Sequence, residues 1–121
     1  MARTFIVYAD GGSRGNPGPA AYGAVLMEGK TVLAELGEPI GIASNNVAEY
    51  SGLLAGRRAA NDLDKNALIE VRMDSKLVVE QMSGTWQIKH PDMRTLAKEA
   101  RDSHAPNLVT YKWVPREDNS H

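Results

Sequence analysis

Tyr8-Ala9-Asp10-Gly11-Gly12-Ser13-Arg14-Gly15-Asn16-Pro17-Gly18-Pro19 is the stretch that decides how this chain is read. The apolar run that leads into it, Phe5-Ile6-Val7-Tyr8, has the composition of a strand. Asp10 comes at the end of that strand, and the nine residues after it hold four glycines and two prolines. The pattern puts a lone carboxylate where a strand stops and a tight turn with accessible backbone begins. Such a carboxylate suits a hard divalent cation such as Mg²⁺. Asp-Gly is equally an ordinary hairpin turn. The stretch alone leaves both readings open.

Outward from it, the elements follow in order. Residues 20–27 read as a second strand, residues 28–30 as a turn, and residues 31–36 as a third strand stopping at Gly37. Turns this short make an antiparallel meander. From Val47 the apolar period becomes helical. Glu49, Leu53, Gly56, Ala60 and Leu63 form one stripe, flanked by Tyr50 and Leu54, and this face is expected on the sheet. Glu49 is the only acid in the stripe. At a helix N-terminus the dipole favours it; aimed at the sheet, it would meet Asp10. Asn45 and Asn46 read as caps or as ligands for sugar and phosphate oxygens.

Residues 61–66 form a polar connection. Residues 68–74 alternate as a strand and again end in an aspartate, Asp74, followed by Ser75 and a short helix over 76–82. A right-handed crossover returns this strand parallel to the first. If the two are neighbours, Asp10 and Asp74 share one sheet end and Glu49 converges on them. Residues 83–91 read as a loop in which Trp86 is either core or a platform for nucleic-acid sugar and phosphate, with Lys89 alongside. Met93, Leu96, Ala97, Ala100 and His104 mark an amphipathic helix. Residues 108–114 form a last strand, with Val109, Tyr111 and Trp113 on one face and Pro115 as its stop. His90, His104 and His121 read as surface or helix-end groups.

A chain of 121 residues with 42% apolar content is expected to be one globular domain spanning 1–121. No apolar run approaches the roughly 18 residues a transmembrane helix needs. No signal peptide is visible, and cytoplasmic residence is the default. Zero cysteines exclude disulfides and any cysteine-based zinc site or nucleophile. The net charge of −1 argues against a basic, sequence-independent nucleic-acid coat. It leaves room for a nucleic-acid enzyme whose positive charge is local or supplied by metal.

Five pieces in register, Tyr8-Ala9-Asp10-Gly11-Gly12, Gly15-Asn16-Pro17-Gly18, Asn45-Asn46-x-x-Glu49, Asp74-Ser75 and Trp113-Val114-Pro115-Arg116-Glu117-Asp118-Asn119, resemble type 1 ribonuclease H across essentially the whole chain. The resemblance implies an α/β, ribonuclease H-like fold: a five-stranded mixed sheet, its first three strands antiparallel, with helices on both faces. It implies an endonuclease that cuts the RNA strand of RNA–DNA hybrids and leaves 5′-phosphate and 3′-hydroxyl ends. Asp10, Glu49 and Asp74 match three of the family's four acids that hold two Mg²⁺, with Mn²⁺ as a substitute and Gly11 beside them. Gly12, Ser13, Asn16, Ser44, Asn45, Ser75 and Asn119 match positions near the hybrid, and Glu49 would also reach the RNA 2′-hydroxyl. Lys76, Trp86 and Lys89 are looser matches for contacts to the DNA strand. The expected partner is a hybrid duplex, bound by a monomer.

Three departures accompany the match. The fourth acid and the helix after it are expected shortly after Asn119, beyond His121, so the chain reads as a piece of a longer protein that can carry a further domain. The basic helix and loop of several members are replaced by residues 83–91. The histidine-bearing loop after the last strand is missing, with Arg116 the nearest cation. A second reading is therefore a hybrid-binding module with little catalysis. A strand-end-aspartate phosphatase wants a second aspartate where Gly12 stands and ranks last. A same-fold integrase or transposase nuclease is disfavoured by the short chain and the Gly-Asn-Pro-Gly turn.

Overall fold

A computed structural model describes residues 2–118 of the chain; Asn119 and His121 lie outside the described residues. Five strands and three helices are arranged as β1 (Thr4–Ser13), β2 (Gly18–Glu28), β3 (Thr31–Ala43), α1 (Asn45–Leu63), β4 (Leu68–Met73), α2 (Lys76–Met82), α3 (Pro91–Asp102) and β5 (Val109–Trp113). The sheet order is β3-β2-β1-β4-β5. β1, β2 and β3 pair antiparallel; β4 joins β1, and β5 joins β4, in parallel. Among the described residues no helix is long and apolar enough to cross a membrane.

Two strand ends differ from the sequence expectation. β1 does not stop at Asp10: Gly11, Gly12 and Ser13 pair with Tyr22, Ala21 and Ala20. Asp10 therefore sits inside the β1–β2 ladder, opposite Gly23, and the tight turn begins after Ser13. β3 runs past Gly37 to Ala43 because β2 continues to pair with it as far as Gly18. Glycine and proline weaken a strand's local signal, and the neighbouring strand overrides them here.

Along β1 the side chains alternate. Phe5, Val7 and Ala9 are buried, and they share one core with Ile69 and Val71 of β4, Tyr50, Leu53 and Ala60 of α1, Val78 of α2 and Met93, Ala97 and Ala100 of α3. Tyr8 and Asp10 point to the other face. The last β1–β4 pair, Tyr8 with Arg72, stands two residues before Asp10 on one strand and Asp74 on the other. The crossover through α1 thus brings Asp10 and Asp74 to the same end of the β1–β4 pairing.

α1 begins at Asn45, earlier than expected, and its cap is Ser44, whose hydroxyl accepts the Val47 backbone N–H at 3.2 Å. Neither Asn45 nor Asn46 is the cap. Of the expected stripe, Leu53, Gly56 and Ala60 are buried while Leu63, the final residue of the helix, is exposed. Tertiary contact also buries two polar groups. Arg57 is 1% exposed, and His104, expected at the surface or a helix end, lies just past α3 at 3%. Its ring nitrogens meet the Ala67 carbonyl and the Asn61 amide. His90 is at a helix end as expected, capping α3.

Candidate active site

Asp10 is seated by β2. Its carboxylate accepts the Gly23 backbone N–H, and a Cβ at position 23 would lie 2.9 Å from Asp10 Oδ1. Position 23 must therefore be glycine for the carboxylate to keep this place. Gly11 does the corresponding work for the helix: a Cβ there would overlap the α1 backbone at Ala48 and Glu49. Close approach of α1 to β1 is what carries Glu49, in the first turns of the helix, toward Asp10 and Asp74.

Glu49 accepts a hydrogen bond from the Ser75 hydroxyl, and Ser75 in turn caps α2 by accepting the Val78 N–H at 3.3 Å. Ser75 is buried, with its hydroxyl between Glu49 and the start of α2. Asp74 faces Arg116, whose Nε is 3.4 Å from Asp74 Oδ2. The Asp74 backbone carbonyl accepts the Trp113 indole N–H at 3.2 Å. Trp113 is 47% exposed, unlike its strand neighbour Tyr111, because it ends β5 and reaches out to this carbonyl.

The charge of Asp74 reaches both Asp10 and Glu49. Burial, then the negative charge of Asp74, pushes the Asp10 carboxyl above its usual value, while Arg116 and the Gly23 N–H oppose the rise. Burial also pushes Glu49 up; the Ser75 hydrogen bond and Arg116 pull it down, and Asp74 and Asp10 raise it further. Desolvation and like charge are the two causes that raise a carboxyl pKa. A cleft of about 550 Å³ opens over Asp10 and Asp74, with Gly23, Glu35, Leu36 and Arg116 on its walls. Glu49 approaches from the α1 side and is not on its lining.

Mutually repelling, half-desolvated carboxylates are the donor set that a hard divalent cation wants. As the side chains stand, no three His, Cys, Asp or Glu groups among the described residues are close enough to hold a metal ion. The donor chemistry fits Mg²⁺ or Mn²⁺; the side chains must draw together to grip one.

The expected substrate residues fall into two groups. Around the start of α1, the Ser13 backbone N–H and hydroxyl donate to Asn45 Oδ1 at 2.8 and 2.9 Å, and the Asn45 N–H donates to Asn16 Oδ1 at 3.1 Å. Gly12 and Ser44 flank this cluster. On the α2 side, Lys76 Nζ stands 6.0 Å from the Trp113 ring centre. Trp86 is 44% exposed, which removes the core reading, and Lys89 is exposed too. Gly23 and the contact of Arg116 with Asp74 were not expected. No local pattern marks Gly23, whose role appears only through cross-strand register.

A family described as reverse transcriptase-like matches residues 8–121. The bifunctional protein Rv2228c of Mycobacterium tuberculosis is 52% identical over 119 residues, covering 96% of this chain and 32% of that protein. The solved N-terminal RNase H domain of Rv2228c, fused to maltose-binding protein, superposes with a TM-score of 0.92 over 98% of this chain and 86% of that one. A ribonuclease H of Idiomarina loihiensis is 36% identical, covering 99% of this chain and 72% of that protein. LC11-RNase H1, solved in complex with RNA/DNA hybrid, gives a TM-score of 0.87 at 34% identity, over 96% of this chain and 88% of that one.

Sheet order, crossover and the acids at one sheet end define a ribonuclease H-like fold. The chain belongs to the type 1 ribonuclease H family. It spans about a third of the length of its Mycobacterium relative.

Proposed function

We propose that this domain hydrolyses the RNA strand of RNA–DNA hybrids at internal phosphodiesters, leaving 5′-phosphate and 3′-hydroxyl ends. The observation that carries the reading is geometric: Asp10 and Asp74 line one cleft, and the close approach of α1 to β1 at Gly11 brings Glu49 beside them. The solved hybrid complex of LC11-RNase H1 supports the choice of substrate. Asp10, Glu49 and Asp74, with the Gly11 backbone beside them, would hold two Mg²⁺, with Mn²⁺ as substitute. Such a pair supplies an activated water, a neutralised phosphate and a stabilised leaving oxygen.

The chain's own groups do the rest. Ser75 orients Glu49. Arg116 offsets negative charge at Asp74. Glu49 and the Gly12–Ser13–Asn16–Asn45 cluster face the RNA, where the 2′-hydroxyl separates RNA from DNA. Lys76, Trp86, Lys89 and, beyond the described residues, Asn119 serve backbone contacts, so sequence preference is slight. The proposed setting is a cytoplasmic, monomeric domain within a longer parent protein.

The experiment is cleavage of an end-labelled RNA–DNA hybrid in Mg²⁺ and in Mn²⁺, beside matched RNA and DNA duplexes. Cutting confined to the hybrid RNA supports the proposal. Hybrid binding without cleavage in either metal rejects it for the module reading, which the open spacing of the acids favours.

A further inference from the structure

A second cleft, of about 330 Å³, lies between α1, the end of α2, the end of α3 and β5. Arg57 on its wall is eight residues past Glu49, about 12 Å further along the helix axis. The other polar walls are Arg101, Ser83, Thr110 and Tyr111, and among the described residues no acidic one lines it.

Arg57 is almost wholly buried and meets only neutral acceptors. Nη1 donates to the Tyr111 hydroxyl, and Nη2 to the carbonyls of His104 at 2.8 Å and Arg101 at 3.3 Å. Nε has no partner among the described residues. Neither Arg57 nor Arg101 takes part in an ion pair among those residues. The carbonyls at the end of α3 bring only the partial negative charge of a helix C-terminus. A buried cation ordinarily has a full counter-charge.

The surroundings add donors, not acceptors. The field of Arg101 reaches both Tyr111 and Tyr50. The Tyr111 hydroxyl accepts from Arg57 and so keeps its own proton to donate. Ser83 and Thr110 add two more hydroxyls. A cap on α3 accounts for the carbonyl bonds of Arg57 but not for a second guanidinium and three hydroxyls around one acid-free cleft. Guanidinium forks match the oxygens of phosphate.

We propose that this cleft binds a phosphate-class oxyanion between Arg57 and Arg101, with Tyr111, Ser83 and Thr110 as hydroxyl donors. Free phosphate and a phosphate of a nucleic-acid strand share this chemistry. The test is an NMR titration of the ¹⁵N-labelled full chain with sodium phosphate, beside sodium chloride at matched ionic strength. Saturable shifts at the Ser83, Thr110 and Tyr111 amides and the Arg101 side chain are expected with phosphate alone. Arg101→Gln, at an exposed position, weakens them at least about tenfold; Arg57→Met does the same if it folds. Shifts that do not saturate, that appear equally with chloride, or that survive Arg101→Gln overturn the proposal. A third arm adds RNA–DNA hybrid: competition with phosphate at these resonances names the strand as source, and its absence names the free ion. The readout uses no cleavage, so it stands or falls apart from the nuclease reading.

Discussion

Gly52→Ala separates two opposite expectations. Gly52 lies on the face of α1 that crosses the strands, and a Cβ there would stand 2.6 Å from the Asp10 carbonyl oxygen and 3.0 Å from that of Gly23. Both are backbone atoms of paired strands and cannot swing aside. Ordinary contact begins near 3.4 Å, so the helix must retreat by about 0.8 Å. Overpacking of this kind costs about 1–3 kcal/mol. Replacing glycine by alanine within a helix returns about 1 kcal/mol. The net expectation is a folded protein destabilised by about 0–2 kcal/mol. The same retreat carries Glu49 away from Asp10, and a misplacement near 1 Å can cost about 10²-fold in rate. The assay pairs urea unfolding with single-turnover hybrid cleavage. A variant about 1 kcal/mol more stable than wild type and fully active would show that α1 does not press on β1 here.

Asp10→Asn is expected to lose hybrid cleavage yet melt higher than wild type in metal-free buffer at neutral pH. The Asp10 carboxyl is raised in the fold, so its contribution to stability is present below the unfolded pKa and lost as pH rises through the folded one. The melting difference should close as pH falls below about 3.9, the ordinary aspartate value; a lower-melting variant at neutral pH contradicts this. Ser75→Ala removes the hydrogen bond that lowers Glu49, so the acid limb of the cleavage profile moves to higher pH. The lost α2 cap costs about 1 kcal/mol in denaturant; an unmoved limb counts against Ser75 as the orienting group. Trp86→Ala changes stability by less than about 0.5 kcal/mol, as for an exposed side chain, while raising KM for hybrid; an unchanged KM removes Trp86 from the substrate path.

Much of this was legible in the chain itself. Asp10, Glu49 and Asp74 were singled out because pattern placed each at an expected strand or helix end and a right-handed crossover is expected to bring such ends together; β1 in fact runs on to Ser13. The reach of β1 to Ser13 and of β3 to Ala43 was not, because ladder pairing imposes those residues against their local glycine and proline signals. The burial of Arg57 and His104 was not legible for a related reason: their partners, the carbonyls of residues 101 and 104 and of Ala67, lie far off in sequence. Ser75 was named through the Asp74-Ser75 match; that its hydroxyl also meets Glu49 shows only in the folded chain.

Paramagnetic broadening by Mn²⁺ tests most directly whether three separated acids act as one cation site. Substoichiometric Mn²⁺ added to the ¹⁵N-labelled chain should erase amide signals around Asp10, Gly11, Glu49, Asp74 and Ser75 together. Asp10→Asn, Glu49→Gln or Asp74→Asn should each restore them. Broadening centred elsewhere, or unchanged in all three variants, would contradict a shared site.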